Sequence, residues 1–147
     1  MDIKDFLSPA DVMVDVRAAD KTRLLQDLAR RAADALNLSA DVVSATILKR
    51  EALGSTGMGD GVAIPHARIQ DVKKPVGILA RLKQAIEFDA IDGQPVDLVF
   101  VLLLPATAEN DQLCTLASVA RKLRASEVLV QLRDAKNQTE LYSAIVG

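Results

Sequence analysis

Val96-Asp97-Leu98-Val99-Phe100-Val101-Leu102-Leu103-Leu104-Pro105 is apolar at every position from 96 to 104 except Asp97. A valine- and leucine-rich run with no polar alternation reads as a central strand covered on both faces, and Pro105 ends it. Such a strand has no wet side, so other layers must lie above and below it. Just upstream, Asp92-Gly93 marks a turn, and Val76, Ile78, Ala80 and Leu82 alternate with Gly77, Leu79 and Arg81 in a second strand. Downstream, Leu113, Leu116, Ala117, Ala120 and Leu123 recur at helical spacing, and Ser126 to Leu132 and Glu140 to Ile145 read as two short closing helices. Toward the N-terminus, Val12, Val14 and Val16 predict a short first strand. Asp20 can cap an amphipathic helix from Lys21 to Leu36, which Asn37 and Leu38 break; Ser39 can cap a second helix carrying Val43 and Ile47 toward Gly54. Strands alternating with helices predict an α/β fold: one domain over residues 1–147, with a mixed β-sheet flanked by helices on both faces.

Composition narrows the functional classes. The 147 residues are 50% hydrophobic, enough for one well-filled core. Eighteen Lys and Arg against twenty Asp and Glu give a net charge of -2, so nothing draws the chain toward nucleic acid or an anionic membrane. Aromatic residues, 3% of the total, are too few for a base-stacking platform. The start lacks the basic and long apolar segments of a secretory signal, and the apolar run from Leu98 to Leu104 is too short to enter a bilayer. The lone Cys114 cannot form an internal disulfide, which fits a reducing cytoplasm, and its place beside a helical apolar stripe marks it as a packing residue.

The stretch Arg50-Glu51-Ala52-Leu53-Gly54-Ser55-Thr56-Gly57-Met58-Gly59-Asp60-Gly61-Val62-Ala63-Ile64-Pro65-His66-Ala67-Arg68 holds four of the seven glycines and the only histidine. Pro65 stiffens the approach to His66, which is expected where a strand ends. A neutral imidazole is a good nucleophile near physiological pH, and phosphorus suits it, because phosphoryl transfer demands positioning and charge stabilisation above all. Arg50, near its helix C-terminus, can supply a bidentate clamp, and backbone N–H groups at Gly57, Gly59 and Gly61 a phosphate-binding nest. Arg68 reads as a solvated charge and Asp60 as a turn residue. Met58, Val62 and Ile64 are expected to form an apolar docking patch around His66. The glycines fit neither a Walker A loop nor a Gly-x-Gly-x-x-Gly fingerprint, and one histidine with a distant cysteine gives no metal-ligand spacing. No metal and no cofactor is expected. Ser55 and Asp60 lack the context of a hydrolase nucleophile.

The segment from Arg50 to His66 resembles the active-site signature of phosphotransferase-system enzyme IIA proteins of the fructose/mannitol class. Phe88-Asp89-Ala90-Ile91-Asp92-Gly93-Gln94-Pro95-Val96-Asp97-Leu98 and Thr115-Leu116-Ala117-Ser118-Val119-Ala120 are similar to its nitrogen-regulatory branch. The resemblance implies that His66 accepts a phosphoryl group from a phosphohistidine carrier protein, that Arg50 is the arginine beside it, and that the fold is a mixed sheet between helices. Where many members carry a second histidine, this chain has Gln112, a neutral donor at the phosphate site. The nitrogen-regulatory resemblance further implies regulatory target proteins such as kinases or transporters, bound according to phosphorylation state. The alternative is a sugar-specific IIA relaying the group to a fructose/mannitol-type permease. Neither the regulated target nor the oligomeric state is encoded in a recognisable motif.

Overall fold

In the computed structural model, which describes residues 2–106 and 109–147 and, of residues 109–112, the backbone alone, the apolar run is β6 (Val96–Pro105). Its residues from Leu98 to Leu104 are at most 3% exposed. Leu98, Phe100, Leu102 and Leu104 enter one core, while Val99, Val101 and Leu103 enter another on the opposite face. The expected double coverage is therefore present. The first of these cores is closed by α3 (Glu109–Arg124), α4 (Ser126–Asp134) and α5 (Gln138–Val146), the second by α1 (Lys21–Leu36) and α2 (Ala40–Leu53).

On one side β6 pairs antiparallel with β5 (Val76–Ile86), which pairs in parallel with β1 (Val12–Val16). On the other side it pairs in parallel with β3 (Val62–Ala63) and then β4 (His66–Ile69). Both share one register: Val62 lies opposite Leu98 and His66 opposite Leu102. They are two pieces of one extended line, interrupted at Ile64-Pro65 because proline has no N–H to give a ladder. The Pro65 carbonyl still accepts from Leu102 N–H at 2.9 Å, which keeps the line straight across the break.

The helix boundaries follow from capping. Asp20 Oδ1 accepts from Arg23 N–H at 2.8 Å, and Ser39 Oγ from Val42 N–H at 3.3 Å. Asn37, at φ 58°, takes the left-handed turn that ends α1.

Three expectations need correction. The glycine-rich stretch is a β-hairpin, β2 (Gly57–Gly59) against β3, and His66 begins a strand instead of ending one. In α3 the covered face is Thr115, Val119 and Leu123; Leu113, Cys114 and Ala117 are exposed, so Cys114 is no packing residue. Helical spacing identified the apolar positions, but the helix is pressed to the sheet by its 115–119–123 row, and Leu113 and Ala117 lie about 200° from Thr115 around the axis. Finally, Val62 and Ile64 are buried in the α3–α5 core with Met58 packed beside them, so they form no exposed patch.

Steric contact explains the hairpin glycines. A Cβ on Gly57 would lie 2.7 Å from the Ala90 Cβ, and one on Gly61, at φ 80°, would lie 2.6 Å from Arg133 Nη2. Arg133 reaches in from α4, grips Asp97 at 3.0 and 3.2 Å, and also donates to the Asp60 carbonyl, closing the turn. Gly57→Ala is expected to cost about 1–3 kcal/mol of stability through overpacking against Ala90. Denaturant unfolding measures this, and a parental midpoint would mean that the hairpin can shift away.

Candidate functional site

His66 leaves the sheet on the α3–α5 side, since its register partner Leu102 belongs to that core, whereas its neighbours Ala67 and Ile69 face α1 and α2. Its ring is half-buried. Nδ1 lies 2.8 Å from the Ile64 carbonyl oxygen, two residues back across Pro65. A carbonyl only accepts, so Nδ1 carries the proton, and in the neutral ring the lone pair is on Nε2.

Burial is the largest influence on the imidazole and pulls its pKa below the ordinary 6.5. The Ile64 carbonyl opposes that shift, the Arg50 cation adds to it, the Glu51 carboxylate opposes it, and Arg68 adds to it again. The balance favours a neutral ring, the nucleophilic form.

Around His66 lies a cleft of about 460 Å³. One wall is the last turns of α2, with Thr46, Lys49, Arg50 and Leu53; the floor is His66, Ala67 and Arg68 of β4 with Leu104 of β6; the far wall is Leu113 and Leu116 of α3. Arg50 Nη1 donates to the Gly54 carbonyl at 3.0 Å, which holds the guanidinium over the helix end. Its two settings therefore coincide: it satisfies a terminal carbonyl of α2 and it faces the histidine's cleft.

Of the residues singled out by sequence, His66, Arg50 and Arg68 come together here. Gly57, Gly59 and Gly61 do not line this cleft. They belong to the hairpin whose β3 strand pairs with the other end of β6, and four residues along a parallel strand separate Val62 from His66, about 13 Å. Gly57 N–H donates inward to Ser55 Oγ at 3.0 Å, and the Gly61 carbonyl accepts from Asp97 and Leu98. The nest reading thus gives way to a tight hairpin. Gln112 falls in α3, but its side chain lies outside the described residues. Asp60 is a turn residue at φ 57°, and the Ile64 carbonyl is the hydrogen-bond partner of the imidazole.

Sequence reasoning passed over Lys49, Leu53 and Glu51. Leu53 is 82% exposed and Leu113 65%, so the cleft has an apolar rim on both sides with the cations between. Glu51 is the reverse: a carboxylate with 4% of its side chain exposed, 3.0 Å from Lys21 Nζ. It accepts Thr56 N–H at 2.8 Å and Thr56 Oγ1–H at 2.7 Å. Lys21 also donates to the Phe88 carbonyl at 3.1 Å and lies over the Phe88 ring. A signal for Leu53 existed, an apolar residue immediately before the glycine that ends a helix. None existed for Glu51, whose ion-pair partner Lys21 is in the preceding helix and whose Thr56 contacts appear only once the chain folds back.

Among the described residues, no group of three or more His, Cys, Asp or Glu side chains is gathered to hold a metal ion. Nor, among them, is any helix long and apolar enough to cross a membrane.

Comparison with known proteins follows the same lines. The family profile described as "Phosphoenolpyruvate-dependent sugar phosphotransferase system, EIIA 2" matches residues 5–146. A nitrogen regulatory protein of Bradyrhizobium diazoefficiens is 39% identical over 145 residues, spanning 99% of this chain and 95% of the relative. One from Escherichia coli K12 is 44% identical over 131 residues, spanning 88% and 80%. The crystal structure of nitrogen regulatory protein IIA-Ntr from Neisseria meningitidis superposes with a TM-score of 0.92 at 33% identity, covering 97% of this chain and 98% of that one. A match over nearly the full length, to sequences and to a solved fold, makes this chain a member of the phosphoenolpyruvate-dependent sugar phosphotransferase system EIIA type 2 family, similar to its nitrogen regulatory proteins.

Proposed function

We propose that the chain is a cytoplasmic phosphocarrier of the phosphotransferase system, acting as one IIA domain: Nε2 of His66 accepts a phosphoryl group from a phosphohistidine carrier protein, and the phosphorylation state then governs binding of regulatory targets. The observation that carries the reading is the Nδ1 hydrogen bond to Ile64, which leaves Nε2 as the lone-pair nitrogen in a cleft shared with Arg50. Nε2 attacks phosphorus in line with the donor's P–N bond. The new N–P bond forms as the donor bond breaks, and the electron pair of that bond returns to the donor imidazole. Nδ1 keeps its proton against the Ile64 carbonyl throughout. Arg50, and Lys49 and Arg68 beside it, supply positive charge where the equatorial oxygens spread their negative charge. In this reading phosphate stabilisation belongs to the cleft cations and not to the hairpin glycines.

The regulatory half of the proposal rests on the rim. Leu53 and Leu113 offer a partner apolar area on either side of the acceptor, in place of the patch expected from Met58, Val62 and Ile64. Phosphorylation would add up to about two negative charges between these leucines. A target that covers the cleft without cations of its own must then desolvate them.

Incubation of the purified protein with phosphoenolpyruvate and the general phosphotransfer proteins should label His66 alone, through an acid-labile, base-stable linkage. His66→Ala should remain unlabelled, and full labelling of it would sink the proposal. Arg50→Ala should slow transfer about 10²-fold, and Arg50→Lys less. Stability should change by no more than about 1 kcal/mol, because a helix-end cation contributes little.

His66 is the only histidine, so its ring signals in NMR are unambiguous. Its titration midpoint should fall below 6.5. Because the folded state disfavours the charged ring, the associated stability is fully present above pH 6.5 and is lost as pH falls through the lowered folded value. A stability profile in that window that is identical in His66→Ala would contradict this.

Regulatory targets captured on His66→Ala protein should bind the phosphorylated form about five- to thirty-fold more weakly, which corresponds to about one to two kcal/mol. Leu53→Asp should weaken the same complexes. Equal binding of both states would favour a relay to a sugar permease.

A further inference from the structure

We propose that Glu51 is a positioning residue for His66, acting through Thr56 and Ile64. The proposal builds on the reading of His66 as the phosphoryl acceptor. Its basis is an unbroken series of hydrogen bonds. Both carboxylate oxygens of Glu51 grip Thr56, one through its N–H at 2.8 Å and the other through its Oγ1–H at 2.7 Å. The Thr56 carbonyl accepts Ile64 N–H at 3.1 Å. The Ile64 carbonyl accepts the imidazole Nδ1–H at 2.8 Å. Each link fixes the residue that makes the next.

The need for such a device follows from Pro65. The peptide unit whose carbonyl holds the ring has no N–H of its own, because its nitrogen belongs to proline. Its orientation must come from its neighbours. On the C-terminal side, the Pro65 carbonyl is anchored to Leu102 N–H at 2.9 Å. On the N-terminal side, the anchor is Ile64 N–H on Thr56, and Thr56 is set by Glu51.

Burial singles out Glu51 as well. An ionised carboxylate with 4% of its side chain exposed is costly to desolvate, and as a purely structural element a well-packed apolar pair is often no less stable. Glu51 is instead satisfied by Lys21 on one side and by Thr56 on the other. The two halves of its coordination can be separated by mutation. Lys21 supports the fold, and Thr56 leads to the ring.

The experiment uses the intact chain with ¹⁵N-labelled histidine, whose single ring reports its own tautomer by ¹⁵N chemical shifts. The parent should hold the Nδ1–H form predominantly. Thr56→Val removes one donor from Glu51, and Glu51→Gln removes its charge and one acceptor oxygen. Both should move population toward the Nε2–H form and reduce the maximal rate of phosphoryl acceptance about tenfold, with little change in the concentration of donor carrier needed for half-maximal rate. Lys21→Met should lower the melting temperature yet keep the parental tautomer and rate. A parental tautomer population in both Thr56→Val and Glu51→Gln overturns the proposal, as does an equal tautomer shift in Lys21→Met, which would mark the effect as general loosening. The tautomer readout needs no phosphoryl donor. Failure of the parent to be phosphorylated would therefore count against the phosphocarrier reading alone.

Discussion

β6 must be dry on both faces, and the other elements follow from how that requirement is met. Burying seven consecutive side chains from Leu98 to Leu104 removes a large apolar area from water at roughly 25 cal/mol per Å². It also forces the backbone N–H and C=O groups of the strand to find partners on both edges, since none can turn to solvent. β5 satisfies one edge along most of its length. The other edge is satisfied in two instalments, β3 and β4, with a proline at the join. That join is where His66 is mounted: the proposed acceptor stands at the interruption of this edge of the ladder, beside the most deeply buried strand. The imidazole thus inherits a rigid base, and enough burial to keep it neutral, without being sealed from the surface.

Much of this was legible in the sequence, and what was not has a physical reason. The unbroken apolar run of β6 required covering layers, and the caps Asp20 and Ser39 with Asn37 delimited α1 and the start of α2. The pieces β2, β3 and β4 are two to four residues long and rich in glycine. They become strands by pairing, and pairing partners are not written in a local pattern. Glycines near a histidine were read as an anion nest because the local chemistry permits one. In the structure their lack of a Cβ serves the approach of Ala90 and Arg133. Arg50 and His66 were recognisable because their residue types and the family signature carried the information. Glu51 stood inside the same signature, yet the role proposed for it depends on contacts with Lys21 and Thr56 that only the tertiary structure brings together.

Opposed charges act on the imidazole in the cleft. Arg50 and Arg68 favour the neutral ring and would attract a phosphoryl group, while the buried Glu51 limits how far that field depresses the imidazole. A site with the cations alone would bind anions yet hold a less basic ring, and nucleophilicity falls with basicity. Placing the carboxylate in the interior would keep it from meeting the oxygens of a phosphoryl group received in the cleft.

The two walls of the cleft belong to different cores. Leu53 rides on α2, which packs with α1 on one face of the sheet, and Leu113 rides on α3, whose buried face packs on the other. A protein that grips both leucines at once therefore clasps the molecule across its layers, and the grip exists only while both layers are docked. Binding of this kind is selective for the native state, so an occupied cleft would resist thermal unfolding, by about 2.7 kcal/mol at a partner concentration one hundred times Kd. Under the proposed phosphorylation of His66, a partner driven from the cleft would take that protection with it, so the stability of the fold and the occupancy of the cleft would change together.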